Sequence, residues 1–176
     1  MNTLKRRAPQ TPSYHFHGFT LIELLIVVSI IGIGTSIGMP SLMSAINEQK
    51  LTAQANDMVA SLNLARSTSV KRRQVVTIRK ISGWEDGWNI FVDGDGNGAI
   101  NGADVILKTY PALTEGSVTI TPTGGYATYI SYNPNGRANT NGHFKFCPPS
   151  SVSSSREVTI AGSGRIRTTS YTTNCP

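Results

Sequence analysis

Gly18-Phe19-Thr20-Leu21-Ile22-Glu23-Leu24-Leu25-Ile26-Val27-Val28-Ser29-Ile30-Ile31-Gly32-Ile33-Gly34-Thr35-Ser36-Ile37-Gly38-Met39 is the stretch on which the reading of this chain turns. From Phe19 to Met39 it carries one charge, Glu23, and no Lys or Arg. As a helix rising ~1.5 Å per residue it spans roughly 31 Å, about one bilayer core. A carboxylate deep in lipid costs at least ~2.5 kcal/mol, which argues against an idle Glu23 in a generic anchor. The polar Gly-Phe-Thr junction precedes the apolar run, whereas a secretory signal places its small-residue cleavage site after it. Lys5, Arg6 and Arg7 lie before the run, a placement that keeps the N-terminus in the cytoplasm and sends the rest across the membrane.

The junction Gly18-Phe19-Thr20-Leu21-Ile22-Glu23 resembles the signal of type IV pilins and type II secretion pseudopilins. The resemblance implies cleavage by a prepilin peptidase between Gly18 and Phe19, N-methylation of Phe19, and retention of the apolar run as an inner-membrane anchor. It also implies a role for Glu23. The new amine on Phe19, of the same subunit or its neighbour, is the natural partner of a carboxylate in lipid, and that pairing sets the register of one helix against the next.

The chain has 176 residues, enough for one domain beside the anchor. Charged residues make up 15%, with Gly, Ser, Thr and Asn plentiful, a composition suited to an exported β-rich domain. The formal charge of +6 falls to about +3 once Lys5, Arg6 and Arg7 are set aside, so overall basicity says little about a polyanion partner. The cysteines, Cys147 and Cys175, form an even pair behind an export signal, which favours a disulfide. Closing that loop would be worth roughly 3–4 kcal/mol in the chain-entropy model.

Beyond the anchor, Gly32, Gly34, Gly38 and Pro40 weaken the helix locally. Helical periodicity then resumes: Leu51, Ala55, Met58, Leu62 and Ala65 make one apolar stripe, opposite Gln49, Lys50, Gln54, Asn56, Asp57 and Asn63. The pattern predicts a helix over about 19–69, its second half needing a sheet to cover the stripe. Short strands follow: 74–79, 88–92, 105–109, 117–121, 127–132, 143–147, 157–160 and 165–168. Turn residues separate them at 93–102, 124–125, 133–136 and 148–150. Helix first and antiparallel strands afterwards argues an α+β fold.

Several later pieces narrow the resemblance to pseudopilins and minor pilins of the FimT, FimU and GspH type. They are Gly87-Trp88 before an apolar strand, an Asp/Asn/Gly loop before Val105-Ile106-Leu107, Tyr132-Asn133-Pro134-Asn135-Gly136-Arg137, Phe144-Lys145-Phe146-Cys147, and Gly164-Arg165-Ile166-Arg167. The implied architecture is a long N-terminal helix followed by a two-sheet β domain. The implied organisation is a cleaved leader (1–18), a transmembrane half-helix (19–40), an amphipathic half-helix (41–69) and a periplasmic β domain (70–176).

Two surface motifs carry candidate chemistry. Asp93-Gly94-Asp95-Gly96-Asn97-Gly98 resembles an EF-hand-type calcium loop, with oxygen donors at its first, third and fifth places, Gly at the sixth and Asp104 at the twelfth. Asp in place of the longer Glu at the twelfth position, and strand-like flanks, leave a plain glycine-rich hairpin as the alternative. Arg165 and Arg167, two apart in a strand, point to one face and suit phosphate contacts. Lys71, Arg72 and Arg73 form a second basic cluster, near Arg79 and Lys80. The Gly-Arg-x-Arg pattern resembles one linked to DNA binding in FimT-like minor pilins, and a solvated strand end is the alternative. Catalysis finds no support: His143 stands alone in the mature chain, and no nucleophile motif or phosphate loop is present. Ser150–Ser155 reads as a loop, and Trp84 and Trp88 as core. The expected function is therefore structural, a minor pilin or pseudopilin with sister subunits, prepilin peptidase and the inner membrane as partners. A DNA-uptake role with double-stranded DNA as partner is the alternative.

Overall fold

The computed structural model describes residues 18–102, 104–113, 118–148 and 154–171, without the side chains at 37, 38, 40 and 41. The elements follow in the order α1 (Leu21–Arg72), β1 (Val76–Lys80), β2 (Trp88–Val92), β3 (Val105–Tyr110), β4 (Thr119–Gly124), β5 (Tyr129–Tyr132), β6 (Gly142–Cys147), β7 (Ser155–Ile160) and β8 (Ile166–Tyr171). The chain divides into two compact units, one ending at Pro40 and the other beginning at Ser41.

In the first unit, α1 starts at Leu21 because Thr20 caps it. The Glu23 N–H donates to Thr20 Oγ1 at 3.3 Å, and the Leu24 N–H donates to the Thr20 carbonyl at 3.2 Å. Leu21 through Ile33 presents its apolar side chains to the outside, as does Phe19, 78% exposed. The hydroxyls in this run turn inward on their own helix. Ser29 donates to the Leu25 carbonyl at 2.8 Å, Thr35 to Ile31 at 3.0 Å and Ser36 to Ile33 at 2.8 Å. Among the described residues no helix is long and apolar enough to cross a membrane. The apolar run with described side chains stops at Ser36, about 24 Å of helix against a hydrocarbon core of ~30 Å. Within the expected span over 19–40 the side chains at 37, 38 and 40 are not among those described.

In the second unit, the predicted stripe is the buried face of α1: Leu51, Ala55, Met58, Leu62 and Ala65 are all almost fully inaccessible. The helix runs to Arg72, three residues past the expected end. Lys71 and Arg72 suit the negative end of the helix dipole, and Arg73 leaves the helix at φ 54°. The Gln74 N–H then donates to the Ser69 carbonyl at 3.2 Å.

Two antiparallel four-stranded sheets complete this unit, ordered β3-β2-β1-β5 and β4-β6-β7-β8. In the first, Ile78 pairs with Ile90 on one side and Ile130 on the other, so three inward residues form a row. In the second, Phe144 lies between Pro122 and Val158. The three isoleucines, Phe144, Val158, the stripe of α1, Trp84, Trp88, Phe146 and Ile160 belong to one core. Aromatic contacts organise its centre. Trp84 meets Phe144 edge-on at 4.8 Å between ring centroids, and Tyr126 stacks on Phe144 at 5.4 Å. The indole N–H groups are satisfied: Trp84 donates to the Tyr126 carbonyl at 3.0 Å, and Trp88 to Ser61 Oγ at 2.8 Å.

Some strand limits differ from expectation. β4 starts at Thr119 and runs through Pro122 to Gly124, which an edge strand tolerates because its outer side makes no ladder bonds. β7 starts two residues before its expected limit, taking in Ser155 from the expected serine loop and Arg156 after it, through the partners Tyr171 and Ser170 of β8. β8 begins at Ile166, so Arg165 sits in the preceding turn rather than in the strand.

Candidate functional site

At the N-terminal junction, Gly18, Phe19 and Glu23 are all exposed. Phe19 and Thr20 precede the helix, and Glu23 is its third residue, so the carboxylate lies in the first turn, where the helix dipole favours negative charge. Thr20 was missed as a functional position. The signal was present in Thr20-x-x-Glu23, the spacing of a capping box.

The basic residues gather around two segment ends. Lys71, Arg72 and Arg73 are exposed where α1 stops, and Arg165 and Arg167 are exposed at the entry to β8. The Ala161 N–H donates to the Arg165 carbonyl at 2.9 Å, and the Gly164 N–H to the Ala161 carbonyl at 2.8 Å, closing the turn before β8. Arg66, which the sequence pattern does not single out, holds this turn to α1. Its Nε donates to the Gly136 carbonyl at 3.0 Å and its Nη2 to the Ser163 carbonyl at 3.5 Å. The structure therefore brings the turn before Arg165 against α1 five residues ahead of Lys71. Arg66 and Lys71 both line a groove of about 410 Å³ with Asn135 and Gly136.

Cys147 ends β6, buried and not a free thiol. Cys175 lies outside the described residues. His143, on the same strand, has Nε2 3.9 Å from a Glu157 carboxylate oxygen on β7.

The acidic loop joins β2 to β3 and lies over the outer face of the first sheet. Strand alternation puts Thr77, Phe91, Asp93 and Ser131 on that face, opposite the core row. All four are buried. Thr77 Oγ1 donates to Asp93 Oδ2 at 2.8 Å and lies 2.7 Å from Ser131 Oγ. The Gly98 N–H also donates to Asp93 Oδ2, at 2.9 Å. Gly98 takes φ +72°, and a Cβ there would fall 2.6 Å from the Tyr129 ring, so this place in the loop requires glycine. Asp104 accepts from the Gly94 and Asn101 N–H groups at 2.9 and 2.8 Å. Asp95 accepts from the Asn97 N–H at 3.2 Å and from the Asn101 side-chain amide at 2.8 Å. The Asn97 N–H leads the effects that hold the Asp95 carboxyl below its ordinary value, with the Asn101 amide adding to it. Asn97 itself turns its Oδ1 to the Ala99 N–H at 2.6 Å. Carboxylate oxygens of Asp93, Asp95 and Asp104 come within 4.8 Å of one another.

A capped N-terminal helix with an outward apolar run and one acid in its first turn, followed by two antiparallel sheets over an amphipathic helical face, defines a pilin-like subunit. The motif described as the prokaryotic N-terminal methylation motif matches residues 14–39, and the family model described as "Type II transport protein GspH" matches residues 54–164. The chain belongs to this GspH family, one of structural pilins and pseudopilins rather than enzymes. Membership carries with it assembly with other pilin or pseudopilin subunits, in filaments anchored in the inner membrane. Two crystal structures of the Pseudomonas aeruginosa (strain PAO1) type IV minor pilin FimU share the fold. The form in space group P21 has a TM-score of 0.59 at 22% identity, covering 68% of this chain and 88% of that one. The form in space group P65 has 0.57 at 22% identity, covering 72% and 97%. No curated protein sequence matches the chain.

Proposed function

We propose that the chain is a minor subunit of a type IV pilus or a type II secretion pseudopilus. It is cleaved by prepilin peptidase between Gly18 and Phe19 and N-methylated on Phe19. It is held in the inner membrane by residues 19–40 with its β domain in the periplasm, where a Cys147–Cys175 disulfide ties the end of the chain to β6. The observation that carries this reading is the outward apolar surface from Phe19 to Ile33, interrupted only by Glu23 among charged residues. A surface of this kind calls for lipid or neighbouring helices to cover it. The inward-turned hydroxyls of Ser29, Thr35 and Ser36 suit lipid, where water cannot satisfy them.

Glu23 then pairs with the Phe19 amine of the same or the next subunit and sets helix register. Glu23→Ala is expected to be processed normally, read by intact mass, yet to be missing from sheared filaments. Wild-type incorporation of that variant would refute the pairing. Deleting the gene and scoring pilus-dependent motility against protein secretion separates the two machines.

The exposed guanidinium groups of Arg165 and Arg167 support a second role, contact with the phosphates of double-stranded DNA during uptake. Attachment of the preceding turn to α1 through Arg66 lends this surface a fixed frame. Binding of this kind is salt-dependent and largely indifferent to sequence. Replacing both arginines by Gln is expected to abolish a DNA gel shift, and unchanged retardation would remove these residues from the role.

A further inference from the structure

Asp93 is a buried acid with an unresolved half. It is 1% exposed, and while Oδ2 accepts from Thr77 and Gly98, Oδ1 is buried with no hydrogen-bond partner. A buried carboxylate oxygen left without a partner is unfavourable, because it has given up its hydration and gained nothing in return. The same carboxylate is one of three whose oxygens converge within 4.8 Å, with those of Asp95 and Asp104. Ligands around one calcium ion lie about 2.3–2.6 Å from it, so two of them are separated by at most about 5 Å. The three oxygens fit inside that limit. No Lys or Arg occurs between Asp93 and Asp104 to neutralise them. The nearby cation, Arg79, spends its Nη1 on the Gly98 carbonyl.

We infer that the β2–β3 loop is a calcium site, with Asp93, Asp95 and Asp104 as its carboxylate ligands. All-oxygen donors on a loop rather than a rigid cage suit calcium, which takes six to eight ligands in flexible geometry, better than magnesium, which demands a near-ideal octahedron. Asn97, at the fifth place of the loop, reaches the ion by turning its Oδ1 away from the Ala99 N–H. The hydrogen bonds now made to Asp95 and Asp104 are compatible with an ion, because each ionised carboxylate offers about four acceptor directions. The ion would neutralise Asp93 Oδ1 from above while Thr77 and Gly98 hold Oδ2 from below. It would thereby join the loop to β1, β2 and, through Ser131, β5. Its effect would be to fix the outer face of the first sheet and the approach to edge strand β3.

The test uses the full-length protein in detergent, stripped with EGTA and titrated with calcium chloride. A site in the ~10⁻⁴–10⁻³ M range of extracellular calcium modules raises the melting temperature by about 3–7 °C at ~5 mM calcium. The rise is expected to vanish in the Asp95→Asn, Asp104→Asn double variant, which alters only residues outside the buried layer. No shift in the unmodified protein would overturn the site. An equal shift with magnesium chloride would overturn the choice of ion, and an equal calcium shift in the double variant would overturn the ligands. Terbium chloride provides a reading that needs no variant. Tyr129, against Gly98, should sensitise its emission and calcium should quench it by displacement, and absence of that emission would count against the site as well.

Discussion

Replacing Gly164 by Ala tests the junction that fixes the entry to β8. Gly164 takes φ +81°, a conformation that costs an L side chain about 1–2 kcal/mol. A Cβ built there would lie on the Gly136 carbonyl oxygen, well inside contact distance, and 2.9 Å from Arg66 Nε. Gly136 O is the acceptor of the Arg66 Nε bond, so relieving the clash displaces that bond, a loss of about 1 kcal/mol. Backbone crowding adds about 1 kcal/mol or more, since a carbonyl cannot swing aside as a flexible side chain does. The expected total is about 3–4 kcal/mol, a fall of roughly 10–15 °C in melting temperature for a unit of this size. Gly162, in the same turn, is the control. A Cβ there meets nothing within 4 Å. Gly162→Ala should change stability by less than about 0.5 kcal/mol. Thermal unfolding of both variants, followed by circular dichroism, decides the matter. Equal melting temperatures would show that the turn is not clamped against α1 as described.

Other expectations follow from the core. Ser61 Oγ accepts the Trp88 indole N–H at 2.8 Å and donates to the Asp57 carbonyl at 2.7 Å, so Ser61→Ala strands a buried donor. The cost should be about 1–3 kcal/mol in urea unfolding, with a change in tryptophan emission. Burial pushes the Tyr126 and Tyr132 phenols well above their ordinary value of 10.0, with the Tyr126 charge adding to the rise at Tyr132 and Arg66 opposing it. The folded state keeps these protons where the unfolded chain releases them. Their contribution is therefore complete below pH ~10 and is lost as pH rises beyond it. Of the six tyrosines, these two should ionise only together with unfolding when phenolate absorbance and circular dichroism are followed side by side.

Much of this arrangement was written locally in the chain. The stripe Leu51, Ala55, Met58, Leu62 and Ala65 repeats at helical spacing and is buried as that spacing demands. β2 matches its expected limits, Trp88–Val92, because Gly87 at φ +94° starts it and the turn-forming Asp93 follows it. The end of α1 was harder to read, because Arg73 takes a conformation more usual for Gly or Asn. Serines were equally misleading at Ser155, where pairing with Tyr171 outweighs local preference. Sheet membership depends on contacts between distant segments, so nothing near β5 announced that it would pair with β1. The Arg66 bonds are of the same kind, reaching 70 and 97 residues along the chain. In the acidic loop the donor spacing was plain, while the burial of Asp93 beneath it required knowledge of Thr77 and Ser131.

Pro122 on the outer strand β4 has a meaning beyond tolerance. A subunit that assembles with others in a filament must not join them indiscriminately through its sheets, because strand addition of that kind leads to aggregates rather than filaments. At one margin of the second sheet Pro122 supplies no N–H for an incoming strand. At the other margin, β8 presents Arg167, Thr168 and Ser170 to solvent instead of a flat apolar ribbon. This sheet is built to stop growing at both sides, so that assembly with other pilin subunits does not proceed by adding strands to it.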